Sequence, residues 1–92
     1  MKKNSYQTAD LNLSAYLIAS GIKLQSHTKV NGQTLFCFND TGELKTLVEK
    51  YFNFDGFINP QRFTGAVRSL KNIIYDDKDN ENMYHGTSVY NK

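Results

Sequence analysis

A chain of 92 residues, 39% of them hydrophobic and 13% aromatic, is long enough for one domain with one modest core, and its formal net charge of +2 excludes a strongly basic or acidic protein. The single cysteine excludes an internal disulfide and is typical of a reducing cytosol. No apolar run approaches the roughly 20 residues of a membrane span, and Met1-Lys2-Lys3 leads into polar residues, so neither a membrane span nor a secretory signal is predicted.

The chain begins with a candidate edge strand at residues 5–8 and a first helix. Asp10 is the predicted N-cap of a helix over residues 11–20, and Gly21 is predicted to terminate it. This helix is so apolar that we expect it to lie between other elements rather than on the surface.

Residues 22–39 predict a β-hairpin that turns at Asn31-Gly32. A two-residue loop would place Phe36 and Phe38 on the same face as several lysines. A three-residue loop over residues 30–32 avoids this, so we predict that register. It pairs Leu24 with Phe38, Ser26 with Phe36 and Thr28 with Thr34, and it gathers Ile22, Leu24, Phe36 and Phe38 on one core face.

Two further helices follow the hairpin. A pair of acids, Asp40 and Glu43, predicts the start of a helix over residues 41–52, with an apolar stripe formed by Leu44, Leu47, Val48, Tyr51 and Phe52. Asn59-Pro60 predicts the start of a third helix that runs to about Tyr75. The predicted fold is therefore α+β: one domain over residues 1–75, with three helices packed on one face of the hairpin. Residues 76–92, which are acidic and polar, are predicted to be a tail that is disordered or is ordered only by contact.

No motif in the sequence indicates an enzyme. Cys37 and His27 fall on one predicted hairpin face, but nothing supplies the third group that would orient such a pair. The acidic run at residues 77–81 lacks the glycine and the glutamate of a calcium loop, where Asn82 and Ser88 stand instead. We expect no catalysis, no metal and no cofactor.

The exposed face of the hairpin is the predicted interaction surface. We expect a protein partner or a second copy of the chain to bind there, aided by the unexplained tyrosines Tyr75, Tyr84 and Tyr90. The candidate residues are Lys23, Gln25, His27, Lys29, Leu35 and Cys37. The alternative function is nucleic-acid binding, with phosphate contacts from Lys23, Lys29, Arg68 and Lys71, although no helix-turn-helix or RNP-like strand is present.

Three groups of residues resemble a family of small domains of unknown function from phages and mobile elements of mainly Gram-positive bacteria. They are Thr8-Ala9-Asp10-Leu11, Phe36-Cys37-Phe38-Asn39-Asp40, and Asn59-Pro60 with Phe63, and the resemblance covers about residues 6–75. It implies a phage or prophage accessory protein in the cytoplasm of a bacterial host. It implies no catalytic residues.

Overall fold

The computed structural model describes residues 5–82, with side chains described over residues 5–76. The predicted α+β architecture is confirmed, and the candidate edge strand at residues 5–8 is present. In chain order the elements are β1 (Ser5–Thr8), α1 (Leu11–Ala19), β2 (Leu24–Val30), β3 (Gln33–Asn39), α2 (Gly42–Phe52) and α3 (Pro60–Asn82). The strands form an antiparallel sheet in the order β1-β3-β2, so β3 lies in the centre.

The hairpin turns more tightly than predicted. Val30 pairs with Gln33, so only Asn31 and Gly32 form the loop. Both have positive φ, 53° and 79°, which is the type I′ geometry that Asn-Gly favours and that matches the twist of the strands. The predicted three-residue loop is wrong.

An extra residue in β2 explains why the predicted register is only partly wrong. Near the turn the pairing is shifted by one residue from the prediction, with Ser26 opposite Cys37. Between Leu24 and Ser26 the register shifts back, because Gln25 is inserted as a β-bulge. Leu24 therefore pairs with Phe38 as predicted. The predicted pairs Ser26–Phe36 and Thr28–Thr34 are replaced by His27–Phe36 and Lys29–Thr34.

Helix α1 lies at the centre of the hydrophobic core. Its residues 13–17 are all buried, and because consecutive helical residues point in different directions, α1 is enclosed on several sides, as its composition predicted. Phe36 and Phe38 belong to the same core and are 1% and 0% exposed. Helix α3 packs on α1, and buried residues of all three helices share one core with Phe36 and Phe38 of the hairpin.

Two of the three predicted helix caps are confirmed. The Leu13 N–H donates to Asp10 Oδ1 at 3.0 Å at the start of α1, and Asn59 Oδ1 accepts two backbone N–H groups at the start of α3. Helix α2 instead begins after Thr41, whose Oγ1 accepts the Leu44 N–H at 3.1 Å, so the predicted cap at Asp40 is wrong by one residue. A hydroxyl caps a helix as a carboxylate does, and the sequence offered both.

The predicted end of the third helix at Tyr75 is also wrong. Helix α3 continues to Asn82, so the first seven residues of the predicted tail are helical. The apolar pattern in the sequence stops at Ile74, so the periodicity gave no indication that the helix continues beyond it. Tyr84 and Tyr90 lie outside the described residues.

The segment between α2 and α3 is held against α1 at Gly56. A Cβ added to Gly56 would lie 2.5 Å from Tyr16 Oη and 2.8 Å from Tyr16 Cζ. The Tyr16 ring is 5% exposed and packs against the Tyr51 ring at a centroid distance of 5.6 Å, so it has little room to move away. The loop backbone therefore approaches α1 more closely than any side chain at position 56 would allow.

We expect Gly56→Ala to destabilise the protein by about 1–3 kcal/mol, the usual cost of overpacking. Gly65 on α3 is the matched control, because nothing lies within 4 Å of a Cβ added there. Gly65→Ala should stabilise the protein by about 0.5–1 kcal/mol through helix propensity. Urea denaturation of both variants measures the two free energies of unfolding, and equal effects would contradict the close approach at Tyr16.

Candidate protein-interaction site

The predicted interaction surface does not form one face of the sheet. Leu35 and Cys37 lie on the face away from the helices, which we call the open face. His27 and Lys29 lie opposite Phe36 and Thr34, and cross-strand partners point to the same side, so these two residues face the helix side. Of the remaining candidates, Lys23 precedes β2 and Gln25 is the bulge residue. The candidate residues are divided between the two faces because the predicted register was wrong by one residue over most of the hairpin.

The open face is uncharged over the described strands, which corrects the predicted basic surface. Cys37 is only 8% exposed, and it is separated from His27 by the sheet itself. The Cys–His pair considered from the sequence is therefore not formed. The face consists of Ser5, Gln7, Ser26, Thr28, Val30, Gln33, Leu35, Cys37 and Asn39.

The two edges of the sheet are poor templates for strand addition. Strand β1 has four residues, and β2 carries a bulge at Gln25 and basic side chains at His27 and Lys29. Short edge strands, bulges and charged side chains are the features by which proteins prevent a further strand from pairing. The sheet edges therefore do not favour a partner that binds by adding a strand.

The four candidate phosphate contacts are divided between two parts of the fold. Arg68 and Lys71 line a shallow groove of about 290 Å³ on the outer side of α3, together with Asn72 and the half-exposed Tyr75. Lys23 and Lys29 belong to the hairpin and do not line this groove. The structure therefore offers a pair of cations on α3 rather than a patch of four.

Three of the five large hydrophobic residues that are exposed in the described chain lie in the segment that ends α2. We call residues 52–57 the aromatic loop. Phe54 is 97% exposed, Phe57 is 91% exposed and Phe52 is 57% exposed. The periodicity of α2 predicted that Phe52 lies in its apolar stripe, and that prediction is wrong. The sequence feature that could have indicated an exposed loop is the presence of three phenylalanines among the turn-forming residues Asn53, Asp55 and Gly56.

Helix α2 ends in a hydrogen-bond pattern that normally requires glycine. The Phe54 N–H donates to the Tyr51 carbonyl at 3.2 Å, and the Asp55 N–H donates to the Lys50 carbonyl at 2.8 Å. This is a Schellman motif, in which the residue at the position of Phe54 adopts left-handed geometry. Phe54 has φ of 58°.

Helix α1 ends in the same motif with the expected residue. The Gly21 N–H donates to the Ile18 carbonyl and the Ile22 N–H to the Leu17 carbonyl, both at 3.0 Å, and Gly21 has φ of 105°. Left-handed geometry costs a non-glycine residue about 1–2 kcal/mol. The cost at Phe54 is not offset by packing, since its side chain contacts almost nothing in the chain.

Burial affects two phenols near the ends of α1 and α2. It raises the pKa of Tyr51 above its ordinary value, and the negative charge of Asp10 adds to the effect. Burial also raises the pKa of Tyr6, with further contributions from Asp10 and Asp40. Both phenols are therefore neutral at physiological pH, and both rings pack against the hydrophobic core.

No arrangement for holding a metal ion is present among the residues described. No three His, Cys, Asp or Glu side chains within that part of the chain come together as ligands.

A cleft of about 340 Å³ between β1 and α2 is lined by Tyr6, Leu44 and Val48 together with charged residues. Within residues 5–82, which the structure describes, no helix combines the length and the apolar character needed to cross a membrane.

We expect Phe54→Gly to raise the free energy of unfolding by about 0.5–1 kcal/mol, because the relief of left-handed strain exceeds the entropy that glycine loses on folding. Phe54→Ala removes the same ring but keeps a Cβ, so it should stay within about 0.5 kcal/mol of the natural protein. Urea denaturation compares the two. A glycine variant no more stable than the alanine variant would show that Phe54 is not strained.

Comparison with known proteins places the chain in a family without giving it a role. Residues 3–76 match the model of a domain of unknown function, DUF5659. The match spans β1 to the middle of α3 and includes the aromatic loop. No curated protein and no solved structure matches the chain. The protein is therefore a member of the DUF5659 family.

Proposed function

We propose that this protein is a non-catalytic binding module that contacts another protein chain through the aromatic loop. The observation that carries the proposal is the exposure of Phe54 and Phe57, at 97% and 91%. An aromatic side chain buries about 150–250 Å² when it is covered, and aromatic residues dominate the energetics of protein interfaces. A small domain that leaves two phenylalanines in water on one short loop is best explained by a partner that covers them.

The backbone strain at Phe54 supports the same proposal. Glycine at this position would end α2 without strain, as Gly21 ends α1. Strained residues are found most often where a protein binds or reacts, and the strain is accepted because the side chain is needed there. In this protein the side chain serves no internal packing, so its use lies outside the chain.

The resemblance of the sequence to small phage and mobile-element domains supports a finer proposal. It favours an accessory protein that acts in the cytoplasm of a bacterial host. Membership of the DUF5659 family agrees with a small domain and leaves this biological setting as a proposal.

Photo-crosslinking tests the proposed binding site. We expect p-benzoylphenylalanine at position 54 or 57 to crosslink the protein to another chain in living bacteria, because it resembles the ring that it replaces. The same group at exposed Ser69 on α3 is the control, and it should give little product. The products are measured by gel shift and mass spectrometry. Equal yields from the three positions would overturn the proposal.

Nucleic-acid binding is a second candidate function. It is favoured by the groove on α3, where Arg68 and Lys71 flank Tyr75, because cations bind phosphates and a half-exposed ring stacks on bases.

Filter binding to DNA over a range of salt concentrations tests this candidate. Two phosphate contacts predict a slope of about −1.8 in log K against log salt, which R68Q/K71Q should abolish. The control K45Q/K50Q removes equal charge from α2 and should keep most of the slope. Failure of the natural protein to retain DNA even at low salt would exclude the candidate.

A further inference from the structure

We infer that the aromatic loop binds the aromatic loop of a second copy of this chain, so that two copies form a two-fold symmetric dimer. This inference rests on the proposed function and names the partner for the same site. It is argued from the exposed area, the charges around the loop and the way in which the loop is held.

The exposed area is near the amount that a dimer needs. With aromatic side chains of about 150–250 Å² each, the exposed fractions of Phe52, Phe54 and Phe57 leave roughly 400–600 Å² of aromatic surface on one chain. Two loops that cover each other would bury roughly 800–1,200 Å², and a specific interface buries about 1,000 Å² or more. The polar residues around the loop would add to this area.

The charges around the loop are self-complementary. Lys50, Asp55 and Arg62 are all exposed and lie within five residues of at least one of the three phenylalanines along the chain. A two-fold symmetric interface uses the same patch on both chains, so that patch must carry both signs of charge. In the dimer, Asp55 of each copy faces Lys50 and Arg62 of the other.

The loop is fixed in place before it binds. Its first part is held by the hydrogen bonds from Phe54 and Asp55 to the end of α2, and its middle is pressed onto Tyr16 through Gly56. Asn59 then caps α3. A rigid loop loses little conformational entropy on association, which favours a small interface of aromatic side chains.

A lipid surface is the other occupant that exposed phenylalanines could have. Asp55 argues against it, because this exposed acid lies between Phe54 and Phe57 in the chain, and its charge would be brought close to the membrane interface with them.

Sedimentation velocity of the full chain over a concentration series tests the dimer. The natural protein should self-associate with a Kd of roughly 1–100 μM. F54S/F57S should weaken the association at least ~10-fold. Val30 is the matched control, because it is also an exposed hydrophobic residue, at 45%, but lies on the open face. V30S should leave the Kd unchanged, and circular dichroism confirms that all three chains are folded.

A charge exchange tests the two-fold arrangement. D55K alone makes the flanking charges all positive, and K50E/R62E alone makes them all negative, so each variant should be monomeric at concentrations where the natural protein is a dimer. An equimolar mixture of the two should recover a heterodimer. A mixture that stays monomeric, or variants that dimerise alone as well as the natural protein, would overturn the arrangement.

The outcomes separate this inference from the proposed function. If the natural protein is monomeric throughout the series while positions 54 and 57 crosslink to a different protein, the inference is wrong and the proposed function stands. If it is monomeric and sediments with phosphatidylcholine–phosphatidylglycerol vesicles in a manner that F54S/F57S abolishes, the loop binds lipid and the inference is wrong. If it is monomeric and neither position crosslinks, both are wrong.

Discussion

The pairing of β2 with β3 decides which side chains face the helices, and the rest of the fold depends on it. A two-residue turn at Asn31-Gly32 alone would send Leu24 to the open face. The bulge at Gln25 returns Leu24 to the side of Phe38. The turn and the bulge together therefore build an apolar half-sheet under the helices and leave His27 and Lys29 on the same side, nearer the turn.

The elements of this fold could be predicted from the sequence, because caps and apolar periodicity are local properties. Asp10, Gly21 and Asn59 each act where the sequence placed them. The register could not be predicted, since strict alternation leaves no place for an inserted residue and Gln25 looks like any polar strand residue. The candidate surface failed for this reason: it combined residues that the sheet separates, such as His27 and Cys37.

The aromatic loop was missed for a different reason. Phenylalanine is most often buried, so a periodic pattern that includes Phe52 is assigned to the core. Phe52 is exposed because it is the last residue of α2. The chain leaves the helix at Asn53, so no further helical turn follows to cover the ring. The ends of α1 and α2 share one hydrogen-bond pattern but differ in the residue at the left-handed position. The terminus with Gly21 only ends its helix, whereas the terminus with Phe54 also exposes a side chain to solvent.

The place of β1 in the sheet has a consequence for how the molecule assembles and opens. β2 and β3 are neighbours in the chain and can pair within about 1–10 microseconds, the usual time for forming a hairpin. β1 meets β3 only after a loop of roughly thirty residues has closed around α1, so its four pairs form late and, having little area behind them, separate early. Amide hydrogens of Tyr6 and Gln7 should exchange with solvent before those in the hairpin. When β1 separates, the backbone hydrogen-bonding groups along one side of β3 are exposed until β1 pairs with it again.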